Sequence, residues 1–370
     1  MVSLVSRETA TVPSRWEPTQ LASRIRELHP GAFAFVMATG ILSSAELLLG
    51  ADWLSTAFLV AASAGYAVLC ILFFIRILRF TSEAWADTAR PDRAFAFFTF
   101  VAGSNVVAVR LASTALIGLA EALSVIAAVA WLVLAYGILA RVVLADRKPE
   151  PAAAVNGTWL IWVVGTQSVS IAASVLGAGL GISSDLAALV AVSLWALGAL
   201  LYVILMAIIL ARLVLVRLEP VQASPPYWIS MGATAITVLA GAELLMLPQN
   251  LPSLVAARST IEGMTLVLWA FGTWWFPFLI LLTIWRYLRL KHPMYEQTLW
   301  SMVFPLGMYA VATDVYGRAA GLSQLPGIAG GELWLALAGW VVVAAWMVVS
   351  WFAPGWPGGS MHPQRPENVG

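Results

Sequence analysis

The sequence predicts an all-α integral membrane protein with ten transmembrane helices arranged as five helical hairpins. The odd helices form an inner ring around a central pore and the even helices form an outer ring. Three observations carry this prediction. The chain is 61% hydrophobic and 11% charged, with a mean hydropathy of +0.87, whereas a soluble domain carries about 25% charged residues. Apolar stretches of the roughly 20 residues that cross a bilayer recur at 31–50, 53–79, 93–118, 121–145, 157–180, 185–216, 226–247, 260–288, 297–319 and 331–353. Small and polar residues concentrate in every second stretch, which divides the helices into two kinds.

Taken in order, residues 1–28 form a polar tail in which Leu21, Ile25 and Leu28 share one face of a short amphipathic turn. Such a segment lies on a membrane surface. The tail has no apolar stretch suited to a cleaved secretory signal. His29-Pro30-Gly31 turns the chain into the first helix, HPGAFAFVMATGILSS, which carries Thr39, Gly40, Ser43 and Ser44. The third helix carries Gly103, Ser104 and Asn105, and the fifth Gly165, Thr166, Gln167, Ser168 and Ser170. The seventh has Ser230, Gly232, Thr234 and Thr237, and the ninth Gly307, Thr313 and Asp314. The even helices are mostly Leu, Val, Ala and Trp, as in WLVLAYGIL of the fourth and GWVVVAAWMVVSWF of the tenth. The single cysteine, Cys70, lies in an apolar run, reads as a small core residue and has no partner for an internal disulfide.

Lys and Arg mark the cytoplasmic side of membrane helices. With the N-terminus inside, the tail and the segments after the even helices hold 17 of the 20 basic residues, all but Arg110, Arg258 and Arg318. An even number of spans satisfies this distribution and an odd number does not. The expectation is a multi-pass protein of the cell inner (plasma) membrane, in which residues 29–353 are one ten-helix domain. Residues 1–28 and 354–370 are its cytoplasmic tails. The net charge of +1 supplies no basic surface for nucleic acid.

Polar side chains are costly against lipid, so those of the odd helices face protein or a water-filled cavity. Small and hydroxylated residues also mediate dry helix packing, and both readings stand for any one of them. As a path for solute, Thr39, Asn105, Gln167 and Thr234 offer hydroxyl and amide groups at mid-membrane, with Gly40, Ser43 and Gly307 completing a lining. Charges within spans are functional candidates. At a rise of ~1.5 Å per residue, Glu46, Arg110, Glu243 and Asp314 fall at similar depth toward the outer face, and Arg318 follows Asp314 by one turn. These five suggest a charged collar in which Arg110 pairs with at least one acid. The collar either selects ions or locks the inner helices together.

Two classes of function remain. One is transport of a small anion, passive or proton-coupled. The other is a membrane-embedded enzyme or cofactor protein, for which the sequence offers little. His29, His292 and His362 lie at membrane edges or in the tail, and Lys148 and Lys291 lie in loops. No metal or cofactor is therefore expected.

The ninth helix, WSMVFPLGMYAVATDVYG, together with HPGAFAFVMATGILS in the first, resembles the tellurite-resistance/C4-dicarboxylate transporter family. That family includes plant slow-type anion channels, malate permeases and sulfite exporters. WLIWVVGTQSVS in the fifth helix is similar to bacterial members. The resemblance implies five hairpins around a pore, usually in a homotrimer, passing anions such as C4-dicarboxylates, sulfite, tellurite, chloride or nitrate. It also implies a phenylalanine of the ninth helix as the gate, which falls on Phe304. Pro305 beside it would kink the helix, and a bulky apolar ring closes a narrow pore by sterics and dewetting.

Overall fold

A computed structural model describes residues 18–144, 155–290 and 294–352. The expected 354–370 tail and most of the 1–28 tail lie outside the described residues, as do Lys148, Lys291, His292 and His362. Among the described residues there are ten long helices: α1 (Ala34–Leu48), α2 (Asp52–Arg79), α3 (Phe98–Leu111), α4 (Ile117–Val143), α5 (Ile161–Leu176), α6 (Ser184–Leu215), α7 (Ile229–Met246), α8 (Arg258–Arg289), α9 (Trp300–Ala319) and α10 (Leu325–Phe352). Among the described residues there is no β-strand. Nine helices there are long and apolar enough to cross a membrane, and the chain is a multi-pass membrane protein.

The one long helix that falls short of that measure is α9, which carries Asp314 and Arg318 within 20 residues. Its environment explains its composition. Nearly every residue from Trp300 to Gly317 is buried, so it has little contact with lipid to satisfy.

Burial separates the two kinds of helix. In the most apolar stretch of each candidate span, 72–89% of residues are buried for α1, α3, α5 and α7. The corresponding share is 17–39% for α2, α4, α6, α8 and α10. Each odd helix packs on the even helix that follows it, and the odd helices pack on one another in a closed cycle, α1–α3–α5–α7–α9–α1. The polar odd helices are thus screened by the apolar even ones, as the high cost of lipid-exposed polar groups requires.

His29-Pro30-Gly31 marks the start of the first odd helix in the sequence, and the structure shows that the other four begin in the same way. Each is entered through a short 3₁₀ turn: Pro30–Phe33, Phe95–Phe97, Gly157–Leu160, Pro225–Trp228 and Gln297–Leu299. These turns touch their neighbours in the same closed order, so all five inner helices start at one end of the ring and run parallel. Tight 3₁₀ geometry is common at helix starts. At the opposite end, Gly50, Gly181 and Gly321 adopt positive φ between α1 and α2, α5 and α6, and α9 and α10. That conformation suits glycine, which has no Cβ to clash.

Candidate functional site

Five hydrogen bonds of one kind close the molecule. Each outer helix reaches the next inner helix in the cycle. Tyr66 on α2 bonds Ser104 on α3 (2.8 Å), and Trp131 on α4 donates to Thr166 on α5 (2.9 Å). Trp195 on α6 donates to the Thr237 carbonyl on α7 (3.1 Å), and Trp269 on α8 to Thr313 on α9 (3.1 Å). Trp340 on α10 closes the circle by donating to Thr39 on α1 (3.1 Å). A buried indole N–H needs an acceptor: a threonine hydroxyl supplies it for Trp131, Trp269 and Trp340, and a backbone carbonyl for Trp195.

The recurrent glycines serve contacts between inner helices. A methyl group at Gly40 would lie 2.6 Å from Val106 Cγ1 on α3, and one at Gly165 would lie 2.9 Å from Phe98 Cδ1, also on α3. At Gly232 it would lie 2.8 Å from Pro305 Cγ on α9, and at Gly307 2.8 Å from Ile41 Cγ2 on α1. Small residues let membrane helices approach closely, and here they draw the ring tight.

These contacts orient α9. Successive residues of a helix advance by about 100°. Pro305 faces α7 and Gly307 faces α1, while a methyl group at Gly339 of α10 would meet Leu306 (3.4 Å) and Val303 (4.0 Å). Phe304 lies between the first two directions and opposite the third, which points it toward the axis of the ring. It is 2% exposed. Ser301, Met308, Val311 and Val315 share its stripe at helical spacing, and all are buried.

Several residues expected to line a path direct their polar atoms elsewhere. Thr39 is occupied by Trp340. Gln167 points outward, its amide donating to the Trp195 carbonyl on α6 (3.1 Å), and Thr234 faces Gly272 on α8. Ser43 bonds the Ser55 carbonyl on α2 (2.7 Å). Asn105 stays within the ring, donating to Ser168 on α5 (3.0 Å), and its Oδ1 is buried without a partner. The clasp residues of the even helices were legible only as apolar helix content. Trp131 and Trp340 sit inside the two stretches, WLVLAYGIL and GWVVVAAWMVVSWF, that typify the apolar even helices.

The charges form no single collar of pairs. Asp314 and Arg318 do pair across one turn of α9 (2.8 Å), as their i, i+4 spacing predicts. Arg110 instead hydrogen-bonds three serines: Ser43, Ser55 and Ser113. Glu46 is buried, with one carboxyl oxygen unpartnered, and Glu243 is partly buried. Glu332 on α10, in a helix read as mostly Leu, Val, Ala and Trp, also carries a buried oxygen without a partner.

At the 3₁₀ end the charges are organised differently. Buried Asp87 takes both Arg76 (2.7 Å) and Arg93 (3.1 Å), so two cations share one anion. Arg212 bonds the Tyr227 hydroxyl, and Arg286 pairs with Glu296. His29 accepts from the Gly31 N–H through Nδ1 (2.9 Å), capping the first 3₁₀ turn. Burial, and then the charge of Arg93, hold its pKa down to about 3. Among the described residues, no three His, Cys, Asp or Glu side chains gather as a metal site requires.

Fold and site together define a multi-pass membrane protein built on a closed ring of five parallel helices. The profile of the family described as "Voltage-dependent anion channel" matches residues 27–351, and the chain belongs to that family. It is 43% identical over 143 residues to an uncharacterized membrane protein of Mycobacterium tuberculosis, covering 38% of this chain and 72% of that protein. It is 27% identical over 335 residues to an uncharacterized transporter of Methanocaldococcus jannaschii, covering 86% of this chain and 92% of that one. A second transporter of the same archaeon is 28% identical over 189 residues, covering 51% of this chain and 54% of its own length.

Proposed function

We propose that the protein moves small anions through the interior of the five-helix ring and that the Phe304 ring closes this path. The observation that carries the reading is the direction of Phe304, set by the Pro305–Gly232 and Gly307–Ile41 contacts on either side of it. The stripe of Phe304, Met308, Val311 and Val315 bears no fixed charge, so it would bar ions by narrowness and dewetting rather than by repulsion.

Anion preference is supported by the mouth. Five parallel helices place the positive ends of their dipoles at the 3₁₀ end, where Arg76 and Arg93 share a single carboxylate. The positive-inside distribution of Lys and Arg supports a cytoplasmic placement of this end, and with it of both termini at the plasma membrane, as part of the same proposal. Of the lining residues expected from the sequence, Asn105 keeps a free amide oxygen in the ring and is the group best suited to meet a hydrated solute at mid-path. A homotrimer and a small C4-dicarboxylate, sulfite, tellurite or halide substrate belong to the same proposal through the family resemblance. Proteoliposome flux of labelled malate, sulfite and chloride, with and without a pH gradient, tests it. Movement of one of them above empty vesicles is the expected result, and no movement of any anion refutes the transport reading.

A further inference from the structure

Arg110 poses a problem that the ring path does not solve. It lies in the last turn of α3, at the end of the ring opposite the 3₁₀ turns, and is 7% exposed. A buried charge requires a counter-charge or a full set of hydrogen bonds, yet among the described residues it forms no ion pair. Its partners are neutral. Nε donates to Ser43 Oγ (3.0 Å), Nη2 to Ser55 Oγ (2.9 Å) and Nη1 to Ser113 Oγ (2.7 Å).

Each of those serines spends its own hydrogen on a carbonyl. Ser43 donates to the Ser55 carbonyl (2.7 Å), Ser55 to the Ser43 carbonyl (2.6 Å) and Ser113 to the Arg110 carbonyl (2.9 Å). All three oxygens therefore present lone pairs to the guanidinium and hold it in place without neutralising it. A guanidinium has five N–H groups. The serines take one from each nitrogen, which leaves one N–H on each terminal nitrogen. Two fixed donors on a positive group match the paired oxygens of a carboxylate or oxyanion.

The cluster lies behind the ring rather than in it, because Ser43 turns away from the axis toward Ser55 on α2. Ser113, beyond the end of α3, is exposed and opens the site to the compartment on that side. Two acids flank it without reaching it: Asp52, exposed at the start of α2 one turn before Ser55, and Glu46, one turn beyond Ser43 on α1.

We propose that Arg110, held by Ser43, Ser55 and Ser113, is the binding group of a second anion site. It takes a carboxylate or oxyanion at the face of the molecule opposite the 3₁₀ turns. The site does not depend on conduction through the ring, and its test reads binding rather than flux.

Isothermal titration of malonate and of sulfate into the purified full-length protein, in a chloride buffer, should give a saturable heat. Arg110→Lys keeps the charge but loses the fork and should weaken binding roughly tenfold, a loss of about 1.4 kcal/mol. Arg110→Gln should abolish it. A parallel titration with short-chain phosphatidylglycerol separates a lipid phosphate from a free anion. Binding of that lipid alone, lost in Arg110→Gln, assigns the site to a headgroup. The proposal is overturned if neither anion nor lipid binds the wild type, or if Arg110→Lys binds as tightly as the wild type. It is also overturned if a folded Arg110→Gln titrates unchanged.

Discussion

The circle of 3₁₀ turns makes a sharp claim at Gly157. A methyl group there would lie 2.1 Å from the Pro226 carbonyl oxygen, 2.4 Å from its carbon and 2.6 Å from the Tyr227 nitrogen. Carbon contacts settle at about 3.5 Å or more, so Gly157→Ala must push two turns apart by about 1 Å. No flexible side-chain tip can absorb that shift, because the atoms are backbone and Pro226 restricts its own φ. Overpacking of this kind costs about 1–3 kcal/mol, and backbone on both sides places the expected loss near ~3 kcal/mol. In a thermal-unfolding assay of the detergent-solubilised protein, Gly157→Ala should lower Tm by about 5 °C or more. Gly137, in the C-terminal half of α4, has open space around it. Gly137→Ala should be neutral or stabilising by up to about 1 kcal/mol through helix propensity. If Gly157→Ala melts with the wild type, or Gly137→Ala loses as much, the turns do not meet as described.

Three further outcomes follow from the polar contacts. Trp340→Phe and Thr39→Val should each cost about 0.5–1 kcal/mol, and a double-mutant cycle on thermal stability should show them coupled, since they delete the same bond; strict additivity would remove the clasp. Asp87→Asn should cost about 3–5 kcal/mol by stranding the buried Arg76, whereas Asp92→Asn, at an exposed pair with Arg90, should cost under about 1 kcal/mol; equal effects in a thermal melt would contradict this ranking. His29 has a folded pKa of about 3 against an unfolded value near ~6.5, so the unfolded state binds the extra proton between these values. Stability is then full above about pH 6.5 and falls as pH drops toward about 3, and His29→Gln should flatten that part of a pH–Tm profile.

Much of the fold was readable because lipid is a strict solvent. The apolar spans and the division into polar and apolar helices follow from what a bilayer excludes, whereas Gly40 and Gly307, expected to line a path, pack instead against Val106 and Ile41 of neighbouring inner helices. Side-chain direction was not readable. Thr39, Gln167 and Thr234 sit on inner helices, but a rotation of about 100°, one residue's step, decides whether a polar group meets the axis or an outer helix, and the sequence carries no signal for that rotation. Trp131, Trp195, Trp269 and Trp340 were equally hidden, since tryptophan also anchors helices at the membrane interface. The Asp314–Arg318 pair was legible because its partners share one helix. Two of the three serines that hold Arg110, Ser43 and Ser55, come from other helices and were not.

Phe304 is proposed to bar a path through the ring. Anion flux into proteoliposomes carrying equal amounts of folded wild type and Phe304→Ala tests it most directly. Removing the ring should raise flux roughly tenfold or more, a barrier of about 1.4 kcal/mol or greater, with Phe304→Leu in between. Equal flux for wild type and a properly folded Phe304→Ala would contradict the account.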